Sequence, residues 1–226
     1  MKPSPRRAAP GVLLLGLLGP ASLAAQVHGL PVRNAGIGTG IGAGADLGRP
    51  NADLGKGLAY GLTGQAGFGR IGATVSLARH DPAGGAAAVN SAGATLNLKV
   101  FGGPLVPLAV TLQGGLGYHT AGSIEGGRIR NVRVPVGLGV AMTIPNPVFS
   151  IKPWLAPRLD LRHTRETGGA VIGALTRTTR DFGISGGVEF GFLSGLSVRV
   201  MYDRILAGAG HDPSVLSVGA GFRVGR

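Results

Sequence analysis

From Ala35 onward, hydrophobic and polar positions alternate with a period of two, the spacing at which successive side chains of a β-strand point to opposite faces. In ATLNLKV (94–100) the leucines and valine share one face, and Thr95, Asn97 and Lys99 share the other. The same split recurs in KPWLAPRLDLR (152–162), where Lys152, Trp154, Ala156, Arg158, Asp160 and Arg162 oppose Pro153, Leu155, Pro157, Leu159 and Leu161. In LSVRVMYD (196–203), Leu196, Val198, Val200 and Tyr202 oppose Ser197, Arg199, Met201 and Asp203. The last such run, LSVGAGFRV (216–224), sets Leu216, Val218, Ala220, Phe222 and Val224 against Ser217, Gly219, Gly221 and Arg223. Marking every run predicts strands at 35–47, 57–68, 70–80, 91–102, 106–119, 129–143, 150–163, 179–190, 195–206 and 214–224.

These segments predict an all-β fold of about ten strands; eight is the alternative, should the first strand or the pair around Gly69 and Arg70 not form. One face of each strand is rich in Leu, Val and Ile, while the other carries Gly, Ala, Ser, Thr and charges, the reverse of a soluble barrel with large residues inside. A closed antiparallel up-and-down barrel with its apolar face in lipid satisfies every backbone group and leaves no edge. Connections alternate in length, short after the second, fourth, sixth and eighth strands and longer elsewhere, as in a transmembrane meander. Aromatics mark strand ends. Phe68, Phe101, Phe149, Phe190 and Phe222 fall beside short turns or the C-terminus, and Tyr60, Tyr118, Phe182 and Tyr202 fall at the long-loop ends, forming two girdles.

The stretch GIGTGIGAG (36–44) fits the same period. Gly36, Gly38, Gly40, Gly42 and Gly44 are expected to line the inside of the first strand, making room for long side chains from other walls, with Ile37, Thr39, Ile41, Ala43 and Ala45 toward lipid. The dinucleotide fingerprint is absent here, because no glycine in the stretch is followed by glycines at both the second and fifth positions after it.

Composition adds a compartment. The chain opens MKPSPRR, continues with the apolar run GVLLLGLLG (11–19) and reaches the small residues PASLAAQ, the layout of a secretory signal peptide. The expected organisation is a signal peptide over 1–25, a short lead over 26–34 and a barrel over 35–226. There are no cysteines, so an exported chain of this length relies on one cooperative structure rather than disulfides. Charged residues make up only 14%, against about 25% in a water-soluble domain.

With strands, girdles and export segment in place, the chain resembles small bacterial outer-membrane β-barrel proteins of the porin-like superfamily, over about residues 33–226. The resemblance implies outer-membrane lipids and the barrel insertion machinery as partners. Members commonly end on an aromatic residue; here the last strand ends GAGFRVGR, with Phe222 internal and Arg226 terminal.

Strand parity sends Lys99, Arg133, Lys152, Arg158, Arg162, Arg199 and Arg223 inward against Asp160, Asp181, Glu189 and Asp203, and an ion-paired interior is expected because an unpaired buried ion is costly. The role that follows is structural or narrow passive permeation, with the positive surplus favouring anions. A lipid-modifying enzyme is the alternative, with His80, His119 and His163 at long-loop ends and Ser123 or Asp81 as partners. Nothing in the sequence joins a nucleophile, base and orienting acid, and HDP at 80–82 and 211–213 reads as a turn starter. An adhesion or scaffold barrel acting through its outer loops is a further alternative, its longest loop spanning 164–178. The formal charge of +12 raises nucleic acid, but Arg128, Arg130, Arg165, Arg177 and Arg180 gather at long-loop ends without an aromatic platform. They are better placed for anionic lipid head groups. No enzyme, cofactor or metal is expected, and the barrel is expected to be a monomer.

Overall fold

A computed structural model describes residues 27–103, 106–122, 127–168, 171–208 and 210–225. The predicted export segment 1–25, together with Ser123 and Arg226, lies outside the described residues. Eleven strands form one antiparallel sheet: β1 (Gly40–Pro50), β2 (Leu58–Phe68), β3 (Ile71–Asp81), β4 (Val89–Phe101), β5 (Leu108–Gly122), β6 (Arg128–Met142), β7 (Ile144–Pro145), β8 (Phe149–Gly168), β9 (Val171–Phe192), β10 (Leu196–Leu206) and β11 (Ser214–Val224). Within β1 to β6 and within β7 to β11 each strand pairs with its neighbour in sequence, β1 pairs with β11, and β6 pairs with β8, so the sheet closes. The two-residue β7 pairs only with β8 and continues the position of β6. The fold is therefore a closed up-and-down barrel of ten strands, and the eight-strand alternative falls.

Two sequence expectations need correction. The first strand starts at Gly40 rather than at residue 35. Gly40 takes φ +97°, and a Cβ there would lie 2.0 Å from the carbonyl oxygen of Val224, so only glycine fits this turn into the barrel wall. Ile37, expected to face lipid, lies instead against Gly67 and Gly72 on the inner wall. A repeat of glycines has a strand's period but no side chains to fix its register, which is why the alternation misled. The second correction concerns the expected loop 164–178. Strands β8 and β9 run on through it as a long hairpin, with Thr164 opposite Arg177 and Gly168 opposite Val171. The threonines of TRTTR have high strand propensity, and a charged β-ribbon outside the membrane needs no apolar face.

Candidate functional site

The wall comes first, because it decides the solvent. Leu96, Leu159 and Val218 are 68%, 58% and 50% exposed, while Asp160, one residue from Leu159, is fully buried. The same inversion runs round the ring: Leu62, Ile71, Val75, Leu77, Leu116 and Leu216 are exposed on the outside. Of the expected girdle residues, Tyr60, Phe68, Phe101, Tyr118, Phe182, Tyr202 and Phe222 are exposed and Phe149 and Phe190 half-buried. A closed ring of an even number of strands, apolar outside and polar within, is stable only with hydrocarbon around it. The molecule is a transmembrane β-barrel of the outer-membrane type.

The lumen of this barrel is not empty. Residues 27–39, expected to be partly a lead and partly a strand, run through it as an extended cord, and Val27, His28, Leu30, Val32, Asn34 and Ala35 are buried. His28 donates its backbone N–H to Ser91 Oγ at 3.0 Å near the long-loop end. Val32 N–H donates to Asp203 Oδ2 at 2.9 Å. Arg33 pairs with Glu189 and donates to Gln65 Oε1 at 3.1 Å, while its carbonyl accepts from Gln113 Nε2 at 2.9 Å. Asn34 donates to the Thr111 carbonyl at 3.4 Å, and Gly38 lies beneath the Arg223 guanidinium at the short-turn end. The cord is thus held by β2, β4, β5, β9 and β10. Its apolar side chains meet inward apolar ones: Val27 and Leu30 cluster with Ala59 and Ala78, and Ala35 with Ala141, Trp154, Ala156 and Met201.

Around the cord the inward charges are paired, in one linked group and in separate pairs. Asp160 accepts from Arg133 Nε at 2.8 Å and from Arg158 Nε at 3.0 Å. Arg158 then reaches across β9 to Asp203 at 2.7 Å, whose other oxygen takes the Val32 amide. Arg162 donates to Asp181 at 3.0 Å. On the far wall Arg199 binds Asp46 in a two-pronged pair, both contacts 2.8 Å. Gly219 stands between them in the same row, and a Cβ there would fall 2.0 Å from Asp46 Oδ1, so an arginine on β10 reaches a carboxylate on β1 only over a glycine. Lys152 faces Glu189 across the β8–β9 ladder, and Lys99 is half-buried in the row of Thr111. Lys152 and Arg223 line an open vestibule of about 630 Å³ at the short-turn end, with Gln65, Ser150, Glu189 and Ser197.

The structure therefore places all eleven expected inward charges on the inner face. Sequence reading missed Asp46, which shares the parity of Gly42 and Gly44, and Arg33, which sits in a segment without period. It also misplaced two histidines. His80 and His119, expected at the rim, are buried inside and contact His28 of the cord, with ring centroids 4.8 Å and 5.0 Å away. Both share parity with buried inward positions, Ala78 and Gln113 among them, and that was the available signal. His80 Nε2 lies 2.6 Å from the Lys56 carbonyl, and His119 Nε2 lies 3.1 Å from Asn131 Nδ2. His163 points outward and bonds Thr178 at 3.1 Å. The HDP aspartates are rim partners of arginine: Asp81 takes Arg79 and the Tyr60 hydroxyl, and Asp212 takes Arg204.

No protein-family model matches the chain, and no curated protein matches it. Solved barrels are similar in strand arrangement. The N-terminal β-barrel domain of OprF from Pseudomonas aeruginosa is 13% identical, over 82% of this chain and 98% of its own, with a TM-score of 0.36. The translocator domain of the autotransporter NalP from Neisseria meningitidis is 16% identical, over 83% and 89%, with a TM-score of 0.43. The outer membrane protease OmpT from Escherichia coli is 8% identical, over 82% and 94%, with a TM-score of 0.44.

Proposed function

We propose that this barrel serves the outer membrane as a self-plugged structural element rather than as a conduit. The observation that carries this reading is how little room the cord leaves. Beside Leu30 and Arg33 the free space is about 40 Å³, and beside Gly36 and Ile37 about 20 Å³, enough for a few water molecules and too small for a hydrated solute. The paired charges support the same reading, since an arginine whose charge is matched by carboxylates, as Arg158 is by Asp160 and Asp203, exerts less pull on a passing anion. The lipid-modifying alternative loses support, because His80 and His119 face the lumen and only His163 faces the lipid side. Planar-bilayer recording tests the proposal. The intact chain is expected to give no unitary conductance, and a chain lacking residues 27–39 is expected to give discrete steps. Steady steps from the intact chain would overturn it.

A further inference from the structure

Beyond the plugged lumen, the outer face of β6, β8 and β9 carries a group of arginines for which no described residue supplies a counter-charge. Arg130 on β6 stands directly opposite Arg165 on β8, and Arg165 stands opposite Thr176 on β9. Arg128 lies one outward position farther out, opposite Thr167, and Arg180 lies nearer the membrane, opposite Leu161. All four arginines are exposed. Among the described residues, none of them makes a salt bridge. Glu166, next to Arg165, belongs to the opposite face, in the row of Ile129. Elsewhere on the rim Arg79 and Arg204 each hold a carboxylate, and Arg49 stands singly, opposite Leu216.

Like charges directly opposed on one face of a sheet repel, so this arrangement is slightly unfavourable in a barrel that meets only water and zwitterionic lipid. It suits an anion with several acceptor oxygens, which two guanidinium forks can hold at once. Position narrows the ligand. Val132, one outward row below Arg130, is the partner of the girdle residue Tyr118, so Arg130 stands about 7 Å beyond the girdle along the strand, at head-group depth. Directly below the arginines the same wall turns apolar through Val134, Leu161, Val136, Leu159 and Phe182. A ligand seated on Arg130 and Arg165 thus has a continuous hydrocarbon-facing surface beneath it.

We infer that Arg130 and Arg165, flanked by Arg128 and Arg180, form a binding site for a lipid bearing a phosphate monoester in the leaflet on the long-loop side. The inference rests on the membrane location and not on the plug, so a barrel that proved to conduct ions would leave it standing. The test uses the folded protein in mixed micelles, titrated with dioleoyl phosphatidic acid or dioleoyl phosphatidylcholine, with bound lipid counted by native mass spectrometry. The intact protein is expected to prefer phosphatidic acid by about ten-fold or more, as two charge-assisted contacts imply. R130Q/R165Q is expected to lose most of that preference, and Arg49→Gln to keep it. Equal binding of the two lipids by the intact protein overturns the site whether or not the double variant folds. So does a preference that survives R130Q/R165Q. Inorganic phosphate competing as well as phosphatidic acid overturns the assignment to a lipid.

Discussion

Two pairs of arginines face each other across the β6–β8 ladder, three residues apart along each strand and on opposite sides of the sheet. Inside, Arg133 opposes Arg162, and Asp160 and Asp181 accept hydrogen bonds from their N–H groups. Outside, Arg130 opposes Arg165, and among the described residues neither makes a salt bridge. The inner pair had to be neutralised by the chain itself, because a buried guanidinium without a partner costs several kcal/mol. The outer pair lies at a surface where water and lipid head groups screen it. A barrel wall thus divides one residue type into two kinds of chemistry according to which face it occupies.

The inner side breaks most severely. Asp160→Asn leaves Arg133 and Arg158 without their shared acceptor and is expected to destabilise the barrel by about 3–5 kcal/mol. The single tryptophan, Trp154, is buried against Ala35 of the cord, so its fluorescence during urea unfolding in vesicles reports the loss. A change under about 1 kcal/mol would mean that the inner network is as wet as the rim. On the outer face of the same strand, Leu155→Arg is expected to cost about 2–4 kcal/mol near the bilayer midplane, through transfer into hydrocarbon rather than a broken pair. Its signature is a cost that shrinks in detergent micelles, where the side chain reaches water, whereas the cost of Asp160→Asn stays.

Smaller effects sharpen the spacing argument. Gly219→Ala pushes a methyl against the Asp46–Arg199 pair and is expected to cost about 1–3 kcal/mol. Gly114→Ala, where a Cβ meets nothing within 4 Å, is expected to stay within about 0.5 kcal/mol of the parent. Equal losses at the two sites would show that backbone freedom, not room for the ion pair, sets the glycine pattern. At the bottom of the scale, Arg130→Gln in zwitterionic micelles is expected to change stability by less than about 0.5 kcal/mol, read from the same unfolding curves. A loss beyond 1 kcal/mol would mean that Arg130 supports the fold and is not free to hold a ligand.

How much of this could be read from the chain follows from where period two holds. It holds from Gly40 to Val224, so the strands, the outward Leu and Val rows and the inward charges were legible, including Asp160 between Arg158 and Arg162. It fails at 27–39, where VHGLPVRNAG has no period and hydrogen-bonds to five different strands; such contacts are set by tertiary closure and leave no local mark. Asp46 was within reach, since its parity follows from Gly42 and Gly44, but its partner lies 153 positions later and only the ring brings them together. His80 and His119 sit near strand ends, where parity and height along the barrel compete, and parity was the better guide. The outward direction of Arg130 and Arg165 is also in the parity. Their direct opposition depends on the β6–β8 register, which only the paired strands reveal.

The cord enters β1 at Gly40 and has its other end, near His28, beside His80 at the long-loop mouth. None of residues 27–39 joins an inter-strand ladder, so freeing the cord parts none of the wall's pairings. Stopper and cask, though one polypeptide, then open independently: amide exchange at Val32 should proceed at a lower free energy than at Val200 in the wall.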